Sequence, residues 1–169
     1  GIRDIGVTGV QTCALPISLV RQFIYTLLKT DLRCNVIHQT GALEEAEWEM
    51  FYQNNNIPAI TFSYNQTMQN FYKASDLIMC RAGAGTMFEI LFFKTPCLVI
   101  PLISHTTDHQ EANAQAMHEK HPELFTIINQ KFAEENSADV AHQILAKLFA
   151  SKPENCIDHQ VYEHKQPVP

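Results

Sequence analysis

Three short stretches carry the residue types that could do chemistry. The most informative is Cys80-Arg81-Ala82-Gly83-Ala84-Gly85-Thr86, with Glu89 three residues further on. Glycines at 83 and 85 allow a ligand close to the backbone. A helix opening there would present unpaired N–H groups and a partial positive charge. That combination suits a diphosphate. The stretch is not a Walker loop, because no Gly-Lys-Ser/Thr follows. Nor is it a full G-x-G-x-x-G, because Phe88 occupies the last position. The same glycines also suit a tight strand-to-helix turn. Glu89 could accept hydrogen bonds from a ribose diol, or simply complement the helix dipole.

The second stretch runs from Ser104 to Ala114 and holds Asp108, Gln110, Glu111 and Asn113. Gln110 and Asn113 could hydrogen-bond sugar hydroxyls, and Asp108 is also accounted for as a helix N-cap. His105, Asp108 and His109 have metal-ligand chemistry, but His105 precedes the expected helix and no third ligand has suitable spacing. No metal site and no cofactor are expected. The third stretch is His38-Gln39-Thr40-Gly41, which reads as a polar loop with a structural histidine or as part of a ligand cleft.

Each stretch is expected to follow a strand. Val20, Phe23, Ile24, Leu27 and Leu28 fall on one helical stripe, and LRCNVIH then reads as a buried strand. In GALEEAEWEMFYQNN the pattern predicts a helix with Leu43, Ala46, Met50 and Phe51 facing inward. AITF is a strand, Met68–Lys73 a short helix, SDLIMC a strand and TMFEILFFK a helix stopped at Thr95-Pro96. CLVI is the next strand and Asp108–Lys120 a helix. LFTII follows as strand, and SADVAHQILAKLF closes as a helix with Ser137 as N-cap. Short apolar strands alternating with helices predict an α/β, Rossmann-like parallel sheet with helices on both faces. Ligands of such sheets bind at the carboxyl ends of the strands, where all three stretches lie.

The 169 residues suffice for one domain, and 46% hydrophobic content is ordinary for a packed core. A net charge of −6 argues against a nucleic-acid partner, which normally meets a basic face. No apolar run reaches the length of a transmembrane helix. Five cysteines, odd in number and without a C-x-x-C, read as free thiols in a reducing compartment.

Taken in order, H-Q-T-G, then S-D-L-I-M-C-R-A-G-A-G-T-M-F-E, then D-H-Q-E-A-N-A resembles the C-terminal half of the MurG family. These are peptidoglycan N-acetylglucosaminyltransferases of the GT-B fold, peripheral on the cytoplasmic face of the cell membrane. The resemblance spans about residues 19–149. It implies one half of a GT-B glycosyltransferase, moving GlcNAc from UDP-GlcNAc to the undecaprenyl-linked lipid I with inversion, to give lipid II. By that resemblance Gly83, Ala84, Gly85 and Thr86 form the diphosphate turn, Arg81 beside it is also a substrate-binding residue, and Glu89 holds the ribose. Asp108, Gln110, Glu111 and Asn113 belong to the sugar side, and His38, Gln39, Thr40 and Gly41 line the cleft. Tyr64–Met68 would lie by the uracil. Glu111 stands where many members have Gln.

Departures from the family bear on the chain's two ends. The opening GIRDIGVTGVQTCALPIS resembles the conceptual translation of a sequencing-library adapter. Residues 1–18 are therefore expected to be a non-native leader, standing where the family has its first strand and a G-G-S-x-G-A loop. Residues 19–150 would be the UDP-sugar-binding domain with that strand missing, and residues 151–169 a polar tail. The family's N-terminal domain, which binds the lipid acceptor and carries the catalytic base, has no counterpart here, so no catalytic residue is assigned. Donor binding is expected to be weak or absent, and the chain is not expected to turn over alone. Two rivals share the donor site: the donor-binding subunit of a two-chain GlcNAc transferase, and a GT-B transferase with a diacylglycerol acceptor. A nicotinamide-binding domain would need a glycine fingerprint on the first strand and an acidic end to the second, and neither is present.

Overall fold

A computed structural model describes residues 4–9, 15, 17–29, 33–41, 44–102 and 108–150. Six parallel strands form one sheet in the order β3-β2-β1-β4-β5-β6. The strands are β1 (Asp4–Gly9), β2 (Arg33–Gln39), β3 (Ala59–Phe62), β4 (Leu77–Cys80), β5 (Cys97–Val99) and β6 (Phe125–Ile127). Among the described residues, seven helices connect or follow them: α1 (Ile17–Leu28), α2 (Glu45–Asn54), α3 (Met68–Ala74), α4 (Ala84–Phe93), α5 (Asp108–Lys120), α6 (Gln130–Glu135) and α7 (Ser137–Ala150). This is the expected α/β doubly wound architecture. Its strand order reverses between β1 and β4, and the crevice outside their carboxyl ends is where such sheets take ligands.

Strands β4 and β5 read as unbroken apolar runs because both of their faces are buried. Leu77 and Met79 of β4 pack with α1, Trp48 and Tyr52 of α2, and Val140, Ala141 and Ile144 of α7. Ile78 and Cys80 point the other way, into a second core with Tyr72 of α3, Met87 and Ile90 of α4 and Ala114 of α5. The described cysteines Cys34, Cys80 and Cys97 are buried free thiols. Burial pushes the Cys34 thiol up to about 12, so it is held protonated.

The opening residues correct the sequence reading. Residues 1–18 are set outside the fold there and the domain is left without its first strand. Instead, Asp4–Gly9 lies between β2 and β4, pairing Asp4↔Arg33 through Gly9↔His38 on one side and Val7↔Leu77 on the other. Leu15 and Leu19 join the core. The missing alternation misled because a strand in the middle of a parallel sheet needs none. The tail, residues 151–169, lies outside the described residues.

Three helices also differ from expectation. In α2 the inward residues are Trp48 and Tyr52, whereas Met50 is 61% exposed and Ala46 is exposed. Phe51 packs against the core edge as expected, and Leu43 lies outside the described residues. The i, i+4 aromatic pair wins because it buries far more area than Ala46 and Met50 would. Helix α6 was not anticipated. It is six residues long, and its one local signal is Asn129, whose side chain caps the Phe132 N–H. On α1, Leu19 is buried while Leu28 is 45% exposed.

His38, next to last in β2, is buried against the first core. Its Nδ1 shares a 2.9 Å hydrogen bond with the Tyr52 hydroxyl, and its ring packs edge-on against Trp48 with centroids 4.5 Å apart. Burial lowers the imidazole pKa to about 4, so the ring is neutral at pH 7.

Two outcomes follow from this packing. Deleting residues 1–9 removes a strand paired on both sides, a loss comparable with a whole domain's stability of about 5–15 kcal/mol. The shortened chain should show no cooperative melt, and an unchanged melt would mean that β1 is dispensable. As for His38, its pKa is about 6.5 unfolded and about 4 folded, so the unfolded state binds more protons between these values. Stability is full above pH 6.5 and falls by about 3 kcal/mol as pH drops to 4. Urea melts across that window should show the slope in the native chain and its loss in His38→Gln; equal slopes would contradict the buried neutral histidine.

Candidate functional site

The site begins where β4 turns into α4. Gly83 is the N-cap of α4 in an extended conformation, and the Met87 N–H is bonded to its carbonyl at 3.0 Å. The amides of Ala84, Gly85 and Thr86 precede that first ladder bond, so they point out of the helix end. Neither glycine is demanded by the chain's own packing. A Cβ on Gly83 would meet only the Thr86 hydroxyl, at 3.7 Å, and a Cβ on Gly85 would meet nothing within 4 Å. Neither glycine has a positive φ. Gly85 in the first helical turn costs stability relative to Ala, and nothing within the fold offsets that cost.

Above this turn lies a cleft of about 380 Å³, lined by Gln39, Tyr64, Asn65, Gln66, Met68, Gln69, Tyr72, Gly83, Gly85, Thr86 and Glu89. Three sources meet there: the end of β2, the loop and helix after β3, and the turn after β4. Glu89 is exposed on the wall, and its Oε2 accepts a 2.8 Å hydrogen bond from the Tyr72 hydroxyl. Tyr64 is 70% exposed.

Several expected site residues hold the frame of the cleft instead of lining it. Arg81 is buried, and its guanidinium donates to the Ile100 carbonyl at 3.0 Å and to Gln130 Oε1 at 2.7 Å. Asn113 reaches across from α5 and donates from Nδ2 to the Ala82 carbonyl at 3.2 Å. Gln110 Oε1 accepts from the Leu102 N–H at 2.9 Å. These bonds tie α5, α6 and the end of β5 to the turn. Asn113 and Ala84 also border a second hollow of about 350 Å³ between α4 and α5, with Phe88, Leu91 and Met117. Glu111 is exposed on α5. Asp108 starts α5, and its side chain, like all of His105, lies outside the described residues.

The β2 loop divides in the same way. His38 and Thr40 are buried, Thr40 donating its hydroxyl to the Gly41 carbonyl at 3.0 Å. Gln39 alone of that loop lines the cleft, its Nε2 donating to the Ser63 carbonyl at 3.3 Å. Gly41 has φ +81°, a left-handed turn that favours glycine. The structure therefore brings Gln39, Gly83, Gly85, Thr86 and Glu89 together, with the segment Tyr64–Met68 alongside. Gln69 and Tyr72 were missed by sequence reasoning, because α3 is too short for its faces to be told apart by period. Among the described residues, no three His, Cys, Asp or Glu side chains gather as a metal site.

Known proteins resemble this chain in both sequence and fold. It is 34% identical over 107 residues to the UDP-N-acetylglucosamine–N-acetylmuramyl-(pentapeptide) pyrophosphoryl-undecaprenol N-acetylglucosamine transferase of Trichlorobacter lovleyi. That alignment covers 63% of this chain and 28% of the relative, so the chain spans under a third of that protein's length. In fold it is similar to the crystal structure of Acinetobacter baumannii MurG, with a TM-score of 0.70 and 23% identity, over 88% of this chain and 42% of that one. It is also similar to the solution structure of ALG13, with a TM-score of 0.51 and 17% identity, over 90% of this chain and 87% of that one. Residues 12–158 match the glycosyltransferase family 28 C-terminal domain, a match that begins just after β1. Matched over most of its length, the chain belongs to glycosyltransferase family 28, as the C-terminal domain of that family.

Proposed function

We propose that this chain is the donor-nucleotide half of an inverting GlcNAc transferase, which moves the sugar from UDP-GlcNAc to lipid I and so makes lipid II. The observation that carries this reading is the bare helix N-terminus under the cleft, with two glycines that the fold itself does not need. A diphosphate seated on the amides of Ala84, Gly85 and Thr86 explains both glycines, since a Cβ there would stand in its place. Family membership and the printed activity of the Trichlorobacter lovleyi relative favour a UDP-sugar over other diphosphates.

The remaining roles follow from position. Glu89 accepts from the ribose hydroxyls, and Tyr64–Met68 lies beside the uracil. Gln110 keeps its amide N–H donors for the sugar while its carbonyl is held by Leu102, and Glu111 stands next to it. Arg81, Thr40 and Asn113 act on the donor through the frame they hold. During transfer, negative charge grows on the β-phosphate as UDP departs. The N-terminus of α4 is oriented beforehand to stabilise it, which lowers the barrier without reorganisation. The base that deprotonates the acceptor hydroxyl comes from an acceptor-binding domain, as does the grip on the lipid. The whole enzyme works peripherally on the cytoplasmic face of the membrane that carries its lipid acceptor. No described helix is long and apolar enough to cross that membrane.

β1 supplies the strand whose expected loss was one reason to expect weak donor binding, while the family's G-G-S-x-G-A loop still has no counterpart after it. With UDP or UDP-GlcNAc at about 100 times the dissociation constant, the 169-residue chain should gain roughly 2.7 kcal/mol. In a thermal melt that is a shift of about 5–10 °C, with NADH giving none. Gly85→Ala should melt at the native temperature or slightly above, yet lose most of the UDP shift. A UDP shift that survives the added methyl group would show that the diphosphate does not sit on this turn. The donor subunit of a two-chain transferase would give the same nucleotide results; transfer to a lipid I analogue only after a second polypeptide is added would favour it.

A further inference from the structure

The hydroxyl of Tyr72 has a partner that a core residue does not need. Tyr72 is 1% exposed, and its ring is stacked on Phe93 with centroids 5.8 Å apart and planes at 23°. Its backbone is fixed as well, since the buried Thr95 donates its hydroxyl to the Tyr72 carbonyl at 3.1 Å. Phenylalanine would fill that space equally well. The phenol oxygen instead emerges at the cleft wall and donates to Glu89 Oε2 at 2.8 Å.

We propose that Tyr72 is a positioning residue that holds the Glu89 carboxylate ready to recognise the ribose diol of the donor nucleotide. This rests on the reading of the cleft given above. An exposed glutamate samples many rotamers, and each one lost on binding weakens the complex. A donor fixed in the core removes that loss, because one carboxylate oxygen is already anchored. A carboxylate accepts about four hydrogen bonds, so one phenol leaves capacity for two ribose hydroxyls. The phenol is suited to this because burial and the neighbouring carboxylate both raise its pKa, which keeps the proton on the donor. Tyr72 is contributed by α3 and Glu89 by α4, so the contact also sets the spacing of the two cleft walls.

The test measures dissociation constants of UDP and 2′-deoxy-UDP for the full chain, for Tyr72→Phe, for Glu89→Gln and for the double variant. The native chain should prefer UDP by about tenfold or more. In Tyr72→Phe that preference should shrink to below about threefold, with 2′-deoxy-UDP, which keeps one ribose hydroxyl, weakened less than UDP. The double variant should bind UDP no more weakly than Glu89→Gln alone, because Tyr72 acts through Glu89. Equal weakening of both nucleotides in Tyr72→Phe would mark a structural role only and overturn the proposal. An unchanged preference, or additive losses in the double variant, would also overturn it while leaving the cleft reading intact. A native chain that binds UDP without any preference, or does not bind it, would overturn the role of Glu89 and this proposal together.

Discussion

Arg81 sits at the point on which the rest of the site depends. It follows β4, a strand buried along its whole length, and a cation in that position must be satisfied or it destabilises the fold. Its guanidinium is bonded to the carbonyl that ends β5 and to the side chain that opens α6. Gln130 in turn donates to Glu134 on α6. The chain leaving Arg81 has little freedom, since Asn113 of α5 fixes the Ala82 carbonyl from the other side. Gly83 and the first amides of α4 therefore occupy one place relative to the sheet. A rigid turn of this kind can stabilise a developing charge, because its dipoles need no reorientation when the charge appears.

Around that turn, the sheet's topology does the rest. Reversal of strand order between β1 and β4 opens a crevice at their carboxyl ends. The loop after β2 brings Gln39 to one side, and the segment after β3 brings Tyr64 to Gln69 over the top. Two separate apolar cores, one on each face, hold these loops on a common base. The site is thus assembled from three chain segments, none of which would form a cleft alone.

Much of this was legible in the sequence because it is local. The strand, turn and helix around Gly83 have a periodic signature, and the residues of the turn lie close together in the chain. Glu89 was legible for the same reason. The central strand was not, because DIGVTG carries no alternation and its pairing partners lie far along the chain. Nor was the face of α2, where the aromatic pair Trp48 and Tyr52 outweighs a stripe drawn through smaller residues. The inward turn of Arg81, Gln110 and Asn113 is also a tertiary fact. Each bonds to backbone or side chain of a different element, so nothing in its neighbours along the chain announces it. Tyr72 and Glu89 are seventeen positions apart and meet only once α3 packs on α4.

The central claim is that the amides opening α4 hold the donor diphosphate. It is tested most directly by following backbone amide resonances of the full chain as UDP is added. The account predicts that the largest shifts fall on Ala84, Gly85 and Thr86, with smaller ones at Gln39 and Glu89. Uridine without phosphates should leave the first three nearly unmoved. Shifts concentrated instead on the hollow between α4 and α5, around Phe88 and Met117, would contradict the account, as would amides of the turn that do not respond to UDP.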